Sequence, residues 1–176
     1  MSNCDLIPDD IKQQCATDIA SYDTFKTHGV TVRSAENYLK TSEGIKYLTK
    51  LNDAFPDLPL GKIRDKAIDQ ITSGRELPHM VTINEPLVKM VPAGAKVSDT
   101  SAFWTTESEV QRIRAEGKGI AQAFGLPGAS EAPLYDIYRI TPKAPTEVFV
   151  SHVAPTSELN GQVAKSGGAV QYIVPN

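Results

Sequence analysis

Cysteine, histidine and tryptophan are scarce in this chain: its 176 residues hold 2 Cys, 3 His and 1 Trp. Cys4 and Cys15 have no further cysteine and no close histidine to complete a zinc site. A disulfide between them suits a chain that passes through an oxidising compartment, and two separate thiols are the plain alternative. No apolar run is long enough to span a bilayer, so no stable membrane insertion is expected. Residues 1–10 lack the basic and apolar regions of a secretory signal, so export would depend on another chain segment. No charge dominates. The basic and acidic counts are 18 and 21; residues 1–80 hold 10 and 12, residues 81–176 hold 8 and 9. The lack of a basic stripe weighs against a broad nucleic-acid surface, though it leaves room for an enzyme that grips RNA at a few phosphates. Also missing are a P-loop, a dinucleotide fingerprint, a nucleophile elbow and a paired-histidine metal helix. The chemistry expected is therefore free of metal and of resident cofactor.

What the chain does have is a globular composition, 40% hydrophobic and 22% charged. Pro8-Asp9-Asp10 opens a helix in the preferred way, and Ile11, Cys15, Ile19 and Tyr22 follow at helical spacing. Ser34 is placed to cap a second helix that carries Tyr38, Leu39, Ile45, Leu48 and Leu51 and stops at Phe55-Pro56. Pro59 opens a third, with Ile63, Ala67, Ile68 and Ile71 on one face, closed by Ser73-Gly74-Arg75. The pattern then changes near Leu77-Pro78. Residues 81–83 and 87–91 read as short strands around the Asn84-Glu85-Pro86 turn. Thr106-Glu107-Ser108-Glu109 is a capping box. The helix it starts carries Val110, Ile113, Ile120 and Phe124, with Gly117 and Gly119 marking a break. Residues 134–141, 146–153 and 169–174 read as strands, each followed by proline. The organisation expected is a helical segment, residues 1–78, followed by an α+β domain, residues 79–176. The fold class is α+β, a mostly antiparallel sheet with one packed helix.

Few residues in this frame can carry chemistry. His152 lies late in a strand, where side chains reach clefts, and histidine is the natural acid or base near neutral pH. The plain alternative is a half-buried, hydrogen-bonded strand histidine. Gln171 interrupts the apolar strand Val170-Gln171-Tyr172 and needs polar partners, which a substrate or a neighbouring loop can provide. Phe103 and Trp104, followed by Thr105 and Thr106, suit an aromatic wall with hydroxyls beside it; such pairs are more often core, and such threonines more often cap helices. Tyr172 is a further aromatic contact. Arg139, Lys143 and Lys165 are phosphate candidates, His79 is a second acid–base candidate, and surface roles are the ordinary reading for all four.

Five segments, LVKMVPAGAKV, SAFWTTESEV, AFGLPGASEAPLYDIYRITP, VFVSHVAPT and GGAVQYIVPN, cover most of residues 87–176. Together they resemble the toxin tips that end contact-dependent growth inhibition proteins of the CdiA type. The resemblance implies an antibacterial toxin used in interbacterial competition, carried outward on a large exoprotein and active in the target-cell cytoplasm. It implies a cognate immunity protein as partner. The helical segment is similar, more loosely, to the part that helps such tips cross the target inner membrane through a membrane protein there. Because such tips are often metal-free nucleases, the resemblance implies a hydrolase that cleaves tRNA: the ribose 2′-hydroxyl attacks the adjacent phosphate, His152 moves the proton, and Thr105, Thr106 or Thr156 hydrogen-bonds the phosphate. YDIYRITP, VAP and GGAVQY also resemble the tuberculosis necrotizing toxin group of NAD-glycohydrolases. There Gln171 would help hold NAD, with Phe103-Trp104 against nicotinamide. That group's Arg-Tyr-Gly stretch is replaced here by Ser98-Asp99-Thr100-Ser101. A binding module without catalysis is the third reading.

Overall fold

Residues 25–97 and 101–176 are described by a computed structural model with five helices and nine strands, all strand pairs antiparallel. The fold is α+β, as expected. Cys4, Cys15 and the helix expected from Pro8 lie outside the described residues.

A short strand, β1 (Lys26–Thr27), precedes three helices: α1 (Val32–Tyr38), α2 (Ser42–Ala54) and α3 (Leu60–Ile71). The single helix expected from Ser34 to Phe55 is thus two. Thr31, one turn earlier than Ser34, caps α1 through its hydroxyl. Thr41 then divides the run: its Oγ1 donates to the Tyr38 carbonyl at 2.6 Å and accepts from Gly44 N–H at 3.1 Å. A threonine that can bond its own backbone competes with helix continuation. Gly44 completes the corner, because a Cβ there would meet the Tyr38 carbonyl oxygen at 2.0 Å.

The strands that follow are β2 (His79–Ile83), β3 (Leu87–Pro92), β4 (Phe103–Trp104), β5 (Tyr135–Ile140), β6 (Thr146–His152), β7 (Thr156–Glu158), β8 (Val163–Lys165) and β9 (Val170–Ile173). Between β4 and β5 lie α4 (Glu107–Ala115) and the single turn α5 (Ile120–Ala123). The main sheet has the order β2-β6-β9-β4; β3 pairs with β5, and β1-β7-β8 form a third sheet. Residues 81–83 and 87–91 are strands as expected, but they do not pair across the Asn84-Glu85-Pro86 turn. β2 takes β6 and β3 takes β5 as partner. A bridge between Val88 and Thr105 links the β3–β5 pair to the end of β4.

Both faces of the main sheet are covered, so β6 buries successive residues, Val148 and Phe149, completely. Phe149 and Ile173 face the helices and join a core with Tyr47, Leu51, Ile63 and Ile71. The rings of Tyr47 and Phe149 are 4.5 Å apart. Val148 and Trp104 face the other way and pack with Ile83 and Leu87, and with Tyr138 and Ile140 from β5. The helical core therefore crosses the division expected at 78/79. Backbone bonds cross it too: Arg75 N–H donates to the His152 carbonyl at 2.8 Å, and Ala154 N–H to the Ser73 carbonyl at 3.0 Å.

Thr106 caps α4 as expected, accepting from Glu109 N–H at 3.3 Å. Glu109 does not reach back to complete the box. Its carboxylate binds Arg112 and accepts from Val170 N–H at 3.0 Å, which ties α4 to β9. The helix breaks at Gly117, whose φ is +74°. No helix among the described residues is long and apolar enough to cross a membrane.

Candidate functional site

A cavity of about 280 Å³ opens where β3, β4, α5 and the ends of β6 and β9 meet. Its walls are mostly apolar: Phe103 and Trp104 from β4, Val88 and Met90 from β3, Ile120 and Phe124 around α5. The polar groups are few, namely Gln171, Ser73, Thr27, Thr105, Thr156 and Lys89. A largely apolar cleft with a handful of polar groups is the usual character of a small-molecule site.

Gln171 is buried on the helix-facing side of β9. Its Nε2 donates to Ser73 Oγ and to Ser151 Oγ, each at 3.0 Å. Thr105 and Thr156 reach the cavity with their hydroxyl protons already committed, one to the Val170 carbonyl at 2.9 Å and one to the Gly125 carbonyl at 3.1 Å. The role of phosphate donor expected of them would require breaking those bonds. Trp104 is 3% exposed, and its indole N–H donates to the Ser101 carbonyl at 2.6 Å. Phe103, 37% exposed, forms the rim. Lys89 points along β3 to Ser101 Oγ and, at 3.3 Å, to the Phe103 carbonyl. Burial holds its ammonium below the usual lysine range, because desolvation penalises the charged form.

His152 is not in the cavity. The register pairs Ser151 with Gln171 and His152 with Val170, so His152 and Gln171 stand on adjacent rungs and on opposite faces. The shared cleft that a joint role requires is absent. The His152 ring is about half exposed, and its Nδ1 lies 2.8 Å from Glu76 Oε1, which also accepts His152 N–H at 2.7 Å. Burial pushes the Glu76 carboxyl up, and the two bonds from His152 outweigh it, so its pKa is lowered.

The remaining candidates are scattered. Thr106 is the α4 cap. Tyr172 packs against Trp104's cluster on the face away from Gln171, and burial raises its phenol pKa. Arg139 is paired at 3.0 Å with both oxygens of Glu107, so its charge is occupied rather than offered to a phosphate. Lys165 is buried between Glu131 at 3.2 Å and Glu158 at 3.8 Å. His79 is exposed on β2, and Lys143 is exposed on the β5–β6 loop.

The cavity thus gathers Gln171, Thr105, Thr156 and Trp104, and leaves His152, Tyr172, Thr106 and Arg139 outside. Sequence reasoning missed Lys89, Ser73 and Ser151. Lys89 carried a signal, a lone cation within the apolar run Leu87-Val88-Lys89-Met90-Val91. Ser73 carried none, because its approach to β9 is made by the fold. No group of acidic, cysteine or histidine side chains among the described residues is arranged to hold a metal ion. No protein-family model, curated protein or solved structure matches this chain.

Proposed function

We propose that this chain is an antibacterial toxin domain that hydrolyses NAD, the second of the two chemistries its sequence resembles. The observation that carries the reading is the make-up of the cavity: aromatic and aliphatic walls, one amide, one lysine and no histidine. Phe103, at the rim, supplies an aromatic edge for the nicotinamide ring, and Trp104 packs behind it on the other face of β4. Lys89 supplies a positive charge for a phosphate. Gln171 positions the ribose beside the scissile bond. In the reaction the bond between the ribose C1′ and the nicotinamide nitrogen breaks, and nicotinamide leaves as a neutral molecule with the bonding electrons. Water adds to C1′ and releases one proton. A good leaving group makes positioning and charge placement more important than an acid–base side chain.

Cleavage of RNA through its 2′-hydroxyl places a stronger demand, a proton-transfer group within hydrogen-bond reach of the reacting oxygen. Among the described residues the cavity offers no histidine or carboxylate for this, and its one lysine, Lys89, is bonded to Ser101 Oγ and the Phe103 carbonyl. One observation favours this second reading elsewhere: the exposed His152–Glu76 pair leaves the imidazole Nε2 without a hydrogen bond among the described residues. Action in the target-cell cytoplasm, uptake through an inner-membrane protein and neutralisation by a cognate immunity protein belong to both readings.

The pure chain, incubated separately with NAD and with total tRNA, decides between them. NAD loss with intact tRNA is expected. Cleaved tRNA with intact NAD transfers the activity to the His152 side, and no loss of either leaves the binding module.

A further inference from the structure

The Gln171 amide has a polarity that its surroundings dictate. Both bonds recorded for it run outward from Nε2, to Ser73 Oγ and Ser151 Oγ. Nitrogen and oxygen of an amide exchange places readily unless a neighbour discriminates between them. Ser73 discriminates. Its hydroxyl donates its only proton to the Gln70 carbonyl at 2.6 Å, so toward Gln171 it can only accept. That carbonyl sits in the last turn of α3, where helix carbonyls lack helical partners. On the other side, Ser151 Oγ is backed by Gly74, where a Cβ would approach it to 2.7 Å. The amide nitrogen is thereby held between two serines. Oε1 receives no hydrogen bond among the described residues, and none of their fully buried polar side-chain atoms is left unpartnered. The oxygen therefore keeps access to the cavity that Gln171 lines.

We infer that Gln171 presents an acceptor only, its carbonyl oxygen, to the cavity, with Ser73 and Ser151 as positioning residues, so that a ligand is selected by the hydroxyl donor it brings there. The identity of that donor rests on the NAD reading. In the nicotinamide half of NAD the phosphate offers acceptors, while the donors are the carboxamide NH2 and the ribose hydroxyls; with Gln171 placed at the ribose beside the scissile bond, the hydroxyls are the donors that meet it. A ligand without the hydroxyl leaves a buried carbonyl unpaired, and sites built around such a bond reject the analogue strongly.

Two measurements on the full chain test the inference. The first needs no ligand. The side-chain amide protons of Gln171, followed by NMR, should exchange with solvent far more slowly than those of exposed glutamines. Ser73→Ala should accelerate their exchange, and Ser73→Thr, which keeps the hydroxyl, should restore it. Fast exchange in the unaltered chain overturns the inference. The second compares binding of NAD with analogues lacking the 2′- or the 3′-hydroxyl of the nicotinamide ribose. The unaltered chain should reject one analogue by roughly 10- to 100-fold. Ser73→Ala, whose amide is free to turn, should lose most of that discrimination while keeping its fold. Discrimination unchanged in Ser73→Ala overturns the inference. Absence of NAD binding in the unaltered chain defeats the NAD reading alone, and slow amide exchange then still supports the acceptor assignment.

Discussion

The two faces of the main sheet treat neighbouring residues in opposite ways. On the helix side, Gln171 is 5% exposed and its amide nitrogen is bonded to two serines. One rung away, on the other face, the His152 ring stands about half exposed against Glu76. The pleat alone produces this: successive side chains point to opposite sides, so a one-residue offset between partners becomes a separation by the whole backbone layer. Two polar residues in apolar strands look alike along the chain. Only the register shows that one belongs to a cavity and the other to the surface.

The largest effect should come from removing the helical side altogether. A fragment of residues 80–176 retains the main sheet but exposes Phe149 and Ile173, both fully buried, and loses the backbone bonds at Ser73 and Arg75. Burial of one large apolar side chain is worth about 1.5–3 kcal/mol, a sizeable share of a domain's net stability. The fragment should therefore show no cooperative thermal transition by circular dichroism. A folded, active fragment would restore the division at 78/79 as a true module boundary.

A smaller effect separates the two faces directly. Gln171→Ala should lower NAD turnover by about 100-fold, the scale of a lost preorganised contact. His152→Ala should stay within about 3-fold, since an exposed pair contributes little. Thermal melts of both variants, run beside the kinetics, separate loss of chemistry from loss of fold. The reverse order of effects would move the site to the His152 face.

The smallest effect concerns Lys89 and pH. The ammonium is charged below its pKa in the folded chain, which burial sets below the usual 10.5. Attraction for a phosphate is thus complete below that lowered value and fades as pH rises through it. Stability moves oppositely: in the window up to 10.5 the unfolded chain binds the proton more firmly, so folding gains as pH rises. Lys89→Met should raise the KM for NAD by roughly 10-fold, remove this alkaline fall in affinity, and leave melting temperature unchanged or higher. A persistent alkaline fall in the variant would assign it to another group.

Much of the architecture was legible along the chain. Helical periodicity and prolines marked α2 and α3, Thr106 marked the start of α4, and Gly117 marked its break, because these are local preferences of the backbone. The corner at Thr41 was also local, written in Thr41-Ser42-Glu43-Gly44, but the apolar period running through it masked the cap. The pairing of β2 with β6 and of β3 with β5 was not legible. Both strands are apolar enough to suit several partners, and a turn between them does not compel a hairpin.

What the sequence by itself determined was the fold class, most of its helices and strands, and the presence of a polar glutamine inside an apolar strand that must find partners. Which partners it found, and that it lines a cavity with Lys89, Thr105 and Thr156 rather than with His152, only the tertiary structure decided. The reason is that facing is set by strand register and by long-range packing, and these depend on segments as distant as Ser73 and Gln171, whose contact no local pattern encodes.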